Sequence, residues 1–415
     1  MEKICRRISE IGTVVGGGTP STKNPDYWGG DIPWISPKDL TDYKSVYISK
    51  GENFLTEKGL KSGTRLLPKN TLLFSSRAPI GYVALAANPI CTNQGFKSIV
   101  CDEKQVVPLY LYYYMKANLD YIKLFGTGAT FPEISGKTMG KIKVEIFKSL
   151  DVQHRIASIL STYDSLIENN TKRIRLLEKM AENLYKEWFV RFRYPGHENV
   201  EMENGLPKGW KVEKLGEFGI ELETGKRPKG GIDGSIKDGC PSLGAECIKE
   251  LASFDYSSVK MVPKDFYDSL KRGKSSGNDI LLYKDGAYIG KVTMFRDSFP
   301  YSEYSINEHV FFLSPMNVKY RNYLYFTLHQ KEFFALMKNL NRNAEQPGLS
   351  RSDVERVKIV VPPSKIVEFF DLQVERMLKV IFSLAKQNSL LARQRDLLLP
   401  RLMSGKLEVK EELLE

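Results

Sequence analysis

The two halves of this chain repeat one another, and this repeat constrains the fold more than any other feature of the sequence. Matching segments occur in the same order in both halves. The corresponding pairs are 71–83 with 279–292, 93–94 with 307–308, 110–113 with 323–326, and 135–144 with 350–359. A tandem repeat of so long a period predicts two similar folding units rather than a solenoid of short ones.

Each half then passes into a long segment that is poor in proline and glycine and has apolar residues at helical spacing. Aligning Asn170 with Asn388 superimposes these two segments, 151–192 and 364–405, without a gap. The aligned apolar positions form a stripe typical of a coiled-coil seam. They are Ile156, Ile159, Tyr163, Leu166, Met180 and Leu184 in the first segment and Val374, Met377, Ile381, Leu384, Leu398 and Leu402 in the second. Pro400 is expected to end or kink the second helix.

The rest of each half has short β-branched and aromatic runs broken by Gly, Pro, Asn and Asp. The sequence therefore predicts the α+β class, with β-rich domains at 1–150 and 209–363 and helical spacers at 151–192 and 364–405. The polar, turn-rich segment 193–208 is expected to be a linker, and 406–415 a charged tail.

Composition excludes several classes of protein. The 415 residues contain no run of about 18 apolar residues, and the first residues become polar too early for a signal peptide. The five cysteines include no Cys-x-x-Cys pair, which argues against a disulfide framework or a zinc ribbon. We therefore expect a cytoplasmic protein without a membrane span.

The net charge of +11 is concentrated in the two β-rich domains. Residues 1–150 contain 20 basic and 13 acidic residues and residues 209–363 contain 23 and 20, whereas 151–208 contains 9 of each. A surface for a polyanion is therefore expected on the domains, with the helices as a frame or partner interface. Improved solubility is the competing explanation of the charge.

Three loops carry side chains suited to nucleic acid. The first, 16–23, is glycine-rich, which lets main-chain amides approach phosphate closely. The second, 75–79 with its counterpart 284–287, offers Arg77 as a reader of guanine and Lys284 as a less specific one. The third, 126–132 with its counterpart 341–347, precedes expected helix N-caps. Each is also compatible with an ordinary surface loop.

The candidate DNA-binding residues are drawn from these loops and the segments beside them. They are Gly18, Thr19, Ser21, Lys23, Lys38, Arg77, Gly128, Thr130, Lys137, Lys226, Arg227, Lys284, Arg342, Asn343 and Arg351.

No catalytic, metal or cofactor site is predicted for the chain. Residues 24–27 lack the second proline of an amino-methyltransferase motif, and 136–138 lack the first glycine of a P-loop because Phe131 stands at its position. The four histidines, at 154, 197, 309 and 329, are scattered and show no metal-ligand spacing.

Three motifs now allow a comparison with a known family. Residues 17–21 running to 28–40, residues 153–157 leading to 186–189, and residues 205–210 before Leu215-Gly216 together resemble the specificity subunits of type I restriction-modification systems. The resemblance extends over essentially the whole chain. It is weaker in the second half, where Cys240-Pro241-Ser242-Leu243 replaces Ile32-Pro33-Trp34-Ile35.

This resemblance implies two target-recognition domains related by pseudo-twofold symmetry and separated by two antiparallel helices that form a coiled coil. Each domain would read one half of an asymmetric, bipartite site in double-stranded DNA. Two methyltransferase subunits and two restriction (motor) subunits would join this chain, and S-adenosylmethionine, ATP and Mg would be bound by those partners. The chain itself would be non-catalytic and bind no cofactor.

Helix length suggests how half-sites would be spaced. A helix of about 40 residues is on the order of 60 Å long, which corresponds to an upper limit of about 17 base pairs. Asn170 and Asn388 are expected to set helix register, as polar residues on apolar seams can do; exposure beside the seam is the alternative. Two other functions stay open: a stand-alone DNA-binding protein, and part of a fused methyltransferase or nuclease.

Overall fold

The computed structural model of the chain describes residues 2–128, 130, 132–232, 234, 236, 238–286, 288–340 and 348–409. The chain divides into two compact units. The first comprises Met1–Asn169 with Leu390–Glu415, and the second comprises Asn170–Ser389. Each unit combines sheets with helices, so the predicted α+β class is confirmed.

The first unit begins with β-rich structure and ends in a long helix. Its strands are β1 (Lys3–Arg7), β2 (Gly12–Gly16), β3 (Trp28–Ile35), β4 (Tyr47–Ile48), β5 (Asn53–Leu55), β6 (Leu72–Ser76), β7 (Ile80–Ala86), β8 (Cys91–Thr92), β9 (Lys97–Cys101) and β10 (Lys143–Phe147). Its helices are α1 (Ile8–Ile11), α2 (Glu57–Lys61), α3 (Pro108–Ala117), α4 (Leu119–Lys123), α5 (Gly136–Lys141) and α6 (Leu150–Tyr185), the last continuing into the second unit.

The second unit repeats this plan. Its strands are β11 (Met202–Glu203), β12 (Leu206–Pro207), β13 (Lys211–Lys214), β14 (Ile220–Thr224), β15 (Cys240–Leu243), β16 (Lys260–Val262), β17 (Asn278–Tyr283), β18 (Val292–Arg296), β19 (Ser305–Ile306), β20 (Val310–Pro315) and β21 (Lys358–Val361). Its helices are α7 (Leu215–Phe218), α8 (Lys264–Ser269), α9 (Arg321–Leu328), α10 (Lys331–Leu340), α11 (Arg351–Glu355) and α12 (Ser364–Ser404), the last continuing into the first unit.

The sheets of the two units have the same topology. The order β2-β9-β6-β7 in the first unit, with β4 added at its edge, corresponds to β14-β20-β17-β18 in the second. The three-stranded sheets β5-β3-β8 and β16-β15-β19 also correspond, each with one parallel pair. The strand pairs β1-β10 and β13-β21 complete the match. The repeat seen in the sequence is therefore a repeat of strand order.

The central strand β6 shows why these sheets need continuous apolar runs. Successive residues of a strand point to opposite faces of the sheet, and both faces of β6 are covered. Leu72 and Phe74 pack in the core that contains α3, whereas Leu73 packs in a second core with Ala84 and Phe96. All three β6 side chains have no exposed surface.

The long helices run antiparallel within each unit. In the first unit Asp164 of α6 forms an ion pair with Arg395 of α12, and Leu160 shares a core with Leu402. In the second unit Asn170 hydrogen-bonds to Asn388, and the ring of Tyr185 lies 6.2 Å from that of Phe370. Residue numbers fall on one helix as they rise on the other, as the family resemblance implies.

One expectation about these helices is wrong, and of the two effects expected of Pro400 one is excluded. Leu166 and Met180, assigned to the apolar seam, are 44% and 54% exposed, because the buried stripe of α6 runs instead through residues such as Ile174 and Ala181. Pro400 does not end α12, which continues to Ser404. Only about one helical turn follows the proline, so few main-chain bonds are lost, and Leu402 beyond it is buried.

The segment between the two repeats, 193–208, is packed rather than extended. It contains the β11-β12 hairpin, and the buried ring of Tyr194 stacks on Trp210 at a centroid distance of 5.4 Å. All five cysteines are free thiols. Among the described helices, none is both long enough and apolar enough to cross a membrane.

Candidate nucleic-acid interface

Strand pairing brings the glycine-rich loop, the Arg77 loop and the turn before β9 together at one end of three neighbouring strands. We refer to this end of the main sheet as its loop edge. Gly16, at the end of β2, pairs with Lys97 at the start of β9. Ser75, near the end of β6, forms a bridge with Phe96 on the other side of β9. The glycine-rich loop, the loop that contains Arg77 and the turn before β9 therefore lie side by side.

Glycines are needed here because main chain approaches main chain. A Cβ at Gly17 would lie 2.0 Å from the carbonyl oxygen of Asn93, and one at Gly18 would lie 1.8 Å from that of Gly63. The carbonyl of Gly18 also accepts a hydrogen bond of 2.9 Å from the indole of Trp34. The loop expected from its glycines to be open to phosphate is thus held in place by its neighbours.

Glu133 joins the third loop to this edge. Its carboxylate lies 3.5 Å from the Arg77 guanidinium and 3.2 Å from the Lys97 ammonium. The main chain of Glu133 is bridged to Thr127, so Thr127 also lies near Arg77. The hydroxyl of Thr19 donates a hydrogen bond to the side-chain oxygen of Gln94. The main-chain carbonyl of Gln94 accepts a hydrogen bond from Lys97. We call Thr19, Arg77, Gln94, Lys97 and Glu133 the first loop cluster.

The other candidates of the first unit are surface residues that do not belong to this cluster. Ser21, Lys23, Lys38, Gly128, Thr130 and Lys137 are exposed. Lys38 pairs with Glu52 at 2.8 Å, which raises the pKa of the lysine through their hydrogen bond. Its neighbour Pro37 approaches Gly95 beside Gln94.

The second unit builds the same arrangement with different side chains. A Cβ at Gly225 would lie 1.5 Å from the carbonyl oxygen of Ile306, so this glycine also marks a close approach. Arg227 forms an ion pair with Glu308 and lies 3.2 Å from the His309 ring. The opposite nitrogen of His309 lies 3.2 Å from the carboxylate of Asp285.

Lys284 completes this second group. Its ammonium lies 3.2 Å from Asp285 and donates a 3.1 Å hydrogen bond to the carbonyl of Glu308. Asp285 is bridged to Gly348, just as the first unit connects its third loop to the same edge. We call Arg227, Lys284, Asp285, Glu308 and His309 the second loop cluster.

The remaining candidates of the second unit lie outside this cluster. Lys226 is exposed beside Arg227. Arg351, in the first turn of α11, bonds to Glu355 at 2.6 Å. Arg342 and Asn343 lie outside the described residues, as does the whole of 341–347. Ser135 and Ser350 do cap α5 and α11, each accepting a hydrogen bond from a main-chain amide three residues later.

Main-chain hydrogen bonds set the two clusters in register. The amides of Ser76 and Lys284 donate to the carbonyls of Gly95 and His309, and the carbonyls of Ser76 and Lys284 accept from the amides of Ile134 and Leu349. The residues at equivalent positions in the two clusters are Thr19 and Arg227, Arg77 and Asp285, Gln94 and Glu308, Gly95 and His309, and Glu133 and Gly348. The scaffold is therefore shared, and the chemistry that it presents is not.

Sequence reasoning missed the side chains that hold these clusters together. Gln94 and Glu308 follow the asparagines at 93 and 307, which the repeat had already aligned, and this shared position was the available signal. Lys97 and Glu133 had no such signal, because only the strand register brings them to Arg77. Among the described residues, the one close group of three potential metal ligands lies in the second unit and shares no residue with either cluster: Glu178, Glu182 and His329.

Each half of the chain matches a known protein family. A family model described as the type I restriction modification DNA specificity domain matches the chain twice, over residues 3–179 and 207–397. Each match contains its own loop cluster and most of one long helix.

Individual relatives and a solved structure are similar to all or part of the chain. The type I restriction enzyme MjaIX specificity subunit of Methanocaldococcus jannaschii is 36% identical over 98% of this chain and 94% of its own. The EcoR124I/EcoR124II specificity subunit of Escherichia coli is 30% identical over 47% of this chain and 49% of its own. The crystal structure of a type I restriction-modification S subunit from M. genitalium shares the fold, with a TM-score of 0.60, 18% identity and coverage of 99% and 97%.

Proposed function

The chain belongs to the type I restriction-modification DNA specificity family, and from this premise we propose that it reads a bipartite, asymmetric DNA site, one half with each unit. The family establishes sequence recognition of DNA as the general function. The bipartite site, the residues that contact it and the composition of the complex are our proposals.

The observation that carries the proposal is the pair of loop clusters. Each lies at the same edge of the same sheet, held by the same main-chain bonds, yet the side chains differ at nearly every equivalent position. The first presents Arg77, Lys97 and Glu133, and the second Arg227 and Lys284 with two carboxylates and a histidine. Two readers of one sequence would have no need of this difference, whereas readers of two sequences require it.

The side chains of the clusters suit contacts with bases, and the exposed lysines outside them suit contacts with phosphates. Arginine can form two hydrogen bonds with guanine, and an amide such as that of Gln94 can do so with adenine. Exposed Lys23, Lys38 and Lys137 suit phosphate, which positions a protein on DNA without reading its sequence. The acidic partners hold the basic side chains in place until DNA replaces them.

Catalysis and cofactors are assigned to partner subunits. We propose that two methyltransferase and two restriction subunits join this chain and that they bind S-adenosylmethionine, ATP and Mg. The long helices expose large apolar side chains that suit protein partners. They are Leu166, Leu176 and Met180 on α6 and Phe369, Leu372, Val380, Leu390 and Leu397 on α12.

The proposal is tested by the methylation pattern that the chain directs. Co-expression with its methyltransferase subunit in a host that lacks other methylation, followed by methylome sequencing, should show modified adenines in one two-part sequence with an unmodified spacer. A continuous recognition sequence would contradict the bipartite site. Methylation directed by the chain without any partner would instead support the fused-enzyme alternative.

The asparagine pair gives a separate prediction about the helices. Asn170 is 6% exposed and donates hydrogen bonds of 2.9 Å to Gln387 and 3.0 Å to Asn388. Replacing both Asn170 and Asn388 by Leu should raise the melting temperature, because apolar burial replaces polar burial, and should loosen helix register and half-site spacing. A lower melting temperature with unchanged spacing in the methylome would show that the pair does not set register.

A further inference from the structure

A group of potential metal ligands lies where α6 meets the end of α9. Glu178 and Glu182 are one turn apart on α6, and His329 directly follows α9. One ligand atom from each lies within 4.8 Å of the others, and Nε2 of His329 is 3.3 Å from a Glu182 oxygen. All three side chains are partly buried, so solvent still reaches the group.

Tyr325 supplies an independent observation at this place. Its side chain is fully buried, and its hydroxyl has no hydrogen-bond partner among the described residues. The ring stacks on that of His329 with centroids 5.3 Å apart. Burial, and then the nearby charges of Glu178 and Glu182, raise the pKa of this hydroxyl. A buried hydroxyl without a partner, on the ring that stacks against His329, is an unsatisfied polar group that a metal-bound water would satisfy.

The two glutamates of the group differ in their surroundings. Burial raises the pKa of Glu178 to about 7, with smaller contributions from Glu182 and Glu250 and opposing ones from His329 and Arg175. Glu182 shows the reverse, because its hydrogen bond to His329 lowers its pKa. Glu182 is therefore already paired with the histidine at 3.3 Å, and a ligand oxygen of Glu178 lies within 4.8 Å of both.

We propose that Glu178, Glu182 and His329 bind one divalent transition-metal ion, of the class that includes Zn²⁺ and Mn²⁺. One imidazole nitrogen and two carboxylate oxygens form a mixed donor set that suits these ions. Ligands about 2.1 Å from a tetrahedral ion lie about 3.4 Å from one another, so modest side-chain rotations would close the group around it.

The position of the site defines what the ion would do. His329 follows the helix that packs against β18 and β20, and the two glutamates belong to the long helix. The ion would thus tie α6 to the β-rich part of the second unit. Its role is to fix the helix relative to that sheet, and it requires no catalytic chemistry.

Calorimetric titration of the full chain, free of any purification tag and treated with EDTA, tests the proposal. We expect ZnCl₂ to bind at one site and to raise the melting temperature. Mn²⁺ serves as a second probe because it prefers oxygen and nitrogen to the thiolates of the five cysteines. His329→Gln and Glu182→Gln should each weaken this site at least tenfold while leaving the circular dichroism spectrum in EDTA unchanged.

His197→Gln is the matched control, since His197 pairs with Glu198 at 3.4 Å in the same unit but outside the group. It should bind metal like the unmodified chain. The proposal is overturned if neither ion binds, or if binding is the same in His329→Gln, Glu182→Gln and the parent chain. In that case Glu182 and His329 form a simple ion pair. The measurement does not involve DNA, so its outcome is independent of the recognition function.

Discussion

The Arg77→Ala variant should bind the cognate DNA about 10- to 100-fold more weakly than the parent chain, because a bidentate contact from arginine to guanine contributes roughly 1–3 kcal/mol of discrimination. Arg77 is 39% exposed at the edge of the sheet, and a single carboxylate, that of Glu133, holds it. Binding to DNA of unrelated sequence should weaken less, because it loses one positive charge but no base contact. The ratio of specific to non-specific affinity is measured by anisotropy titration at fixed salt. It separates recognition of the base sequence from electrostatic attraction to the phosphates.

Glu133→Gln provides a test of opposite sign. This change keeps the side chain's size but removes the negative charge shared by Arg77 and Lys97. Affinity for DNA of any sequence should then rise several-fold, with a steeper dependence on salt. Lys148→Ala, which breaks an exposed pair with Glu2 away from the first loop cluster, should have no effect. If Arg77→Ala and Lys148→Ala behave alike, Arg77 does not read the site.

Much of the fold was predictable because it depends on patterns local to the chain. The continuous apolar run of β6 and the helical periodicity of α6 are visible without knowledge of their partners. The repeat added tertiary information, because aligned segments must occupy the same place in two similar units. Its strand order, with β3 and β15 as counterparts, agrees with the alignment of 32–35 to 240–243.

The parts that sequence reasoning missed depend on contacts between distant residues. Leu166 belongs to a helical stripe by its spacing, but which stripe is buried depends on where α12 and α3 pack. Pro400 was expected to end or kink α12, yet the helix continues to Ser404 and buries Leu402 beyond the proline. Propensity is a weak influence when tertiary packing opposes it.

The loop clusters and the proposed metal site show the same limit for function. Glu133 reaches Arg77 only because the third loop bridges back at Thr127. Likewise His329 and Glu178 are far apart in sequence, so no ligand spacing exists to be recognised. The loops could be identified from the sequence. The acidic and basic side chains that pair with their candidate residues could be identified only from the structure.

Exchanging residues 1–150 for the corresponding domain of another family member should replace one half of the recognised sequence and leave the other half intact. The first loop cluster lies wholly within these residues, and the second lies wholly within 209–363. The exchange therefore transfers one reader without altering a contact of the other. Methylome sequencing of a host with the chimaera and its methyltransferase subunit measures both halves at once.

The structure also specifies how such a chimaera must be joined. Gln153 of α6 hydrogen-bonds to the main chain of Val107 and Phe147, and Tyr113 donates a 2.6 Å bond to the buried Asp164. A donor that keeps a tyrosine at position 113 should fold with a melting temperature near that of the parent. A donor with an apolar residue there leaves a carboxylate oxygen without its hydroxyl donor, at a cost of about 1–3 kcal/mol.

These two donors make the result interpretable. If the tyrosine-containing chimaera is stable and changes one half-site, the clusters read independently. If it is stable and both halves change, reading is coupled between the units, and the different side chains of the clusters are not separate readers. The reciprocal exchange of 209–363 should alter the other half-site, and the two exchanges combined should give a sequence composed of both new halves, as expected for sites that do not share contacts.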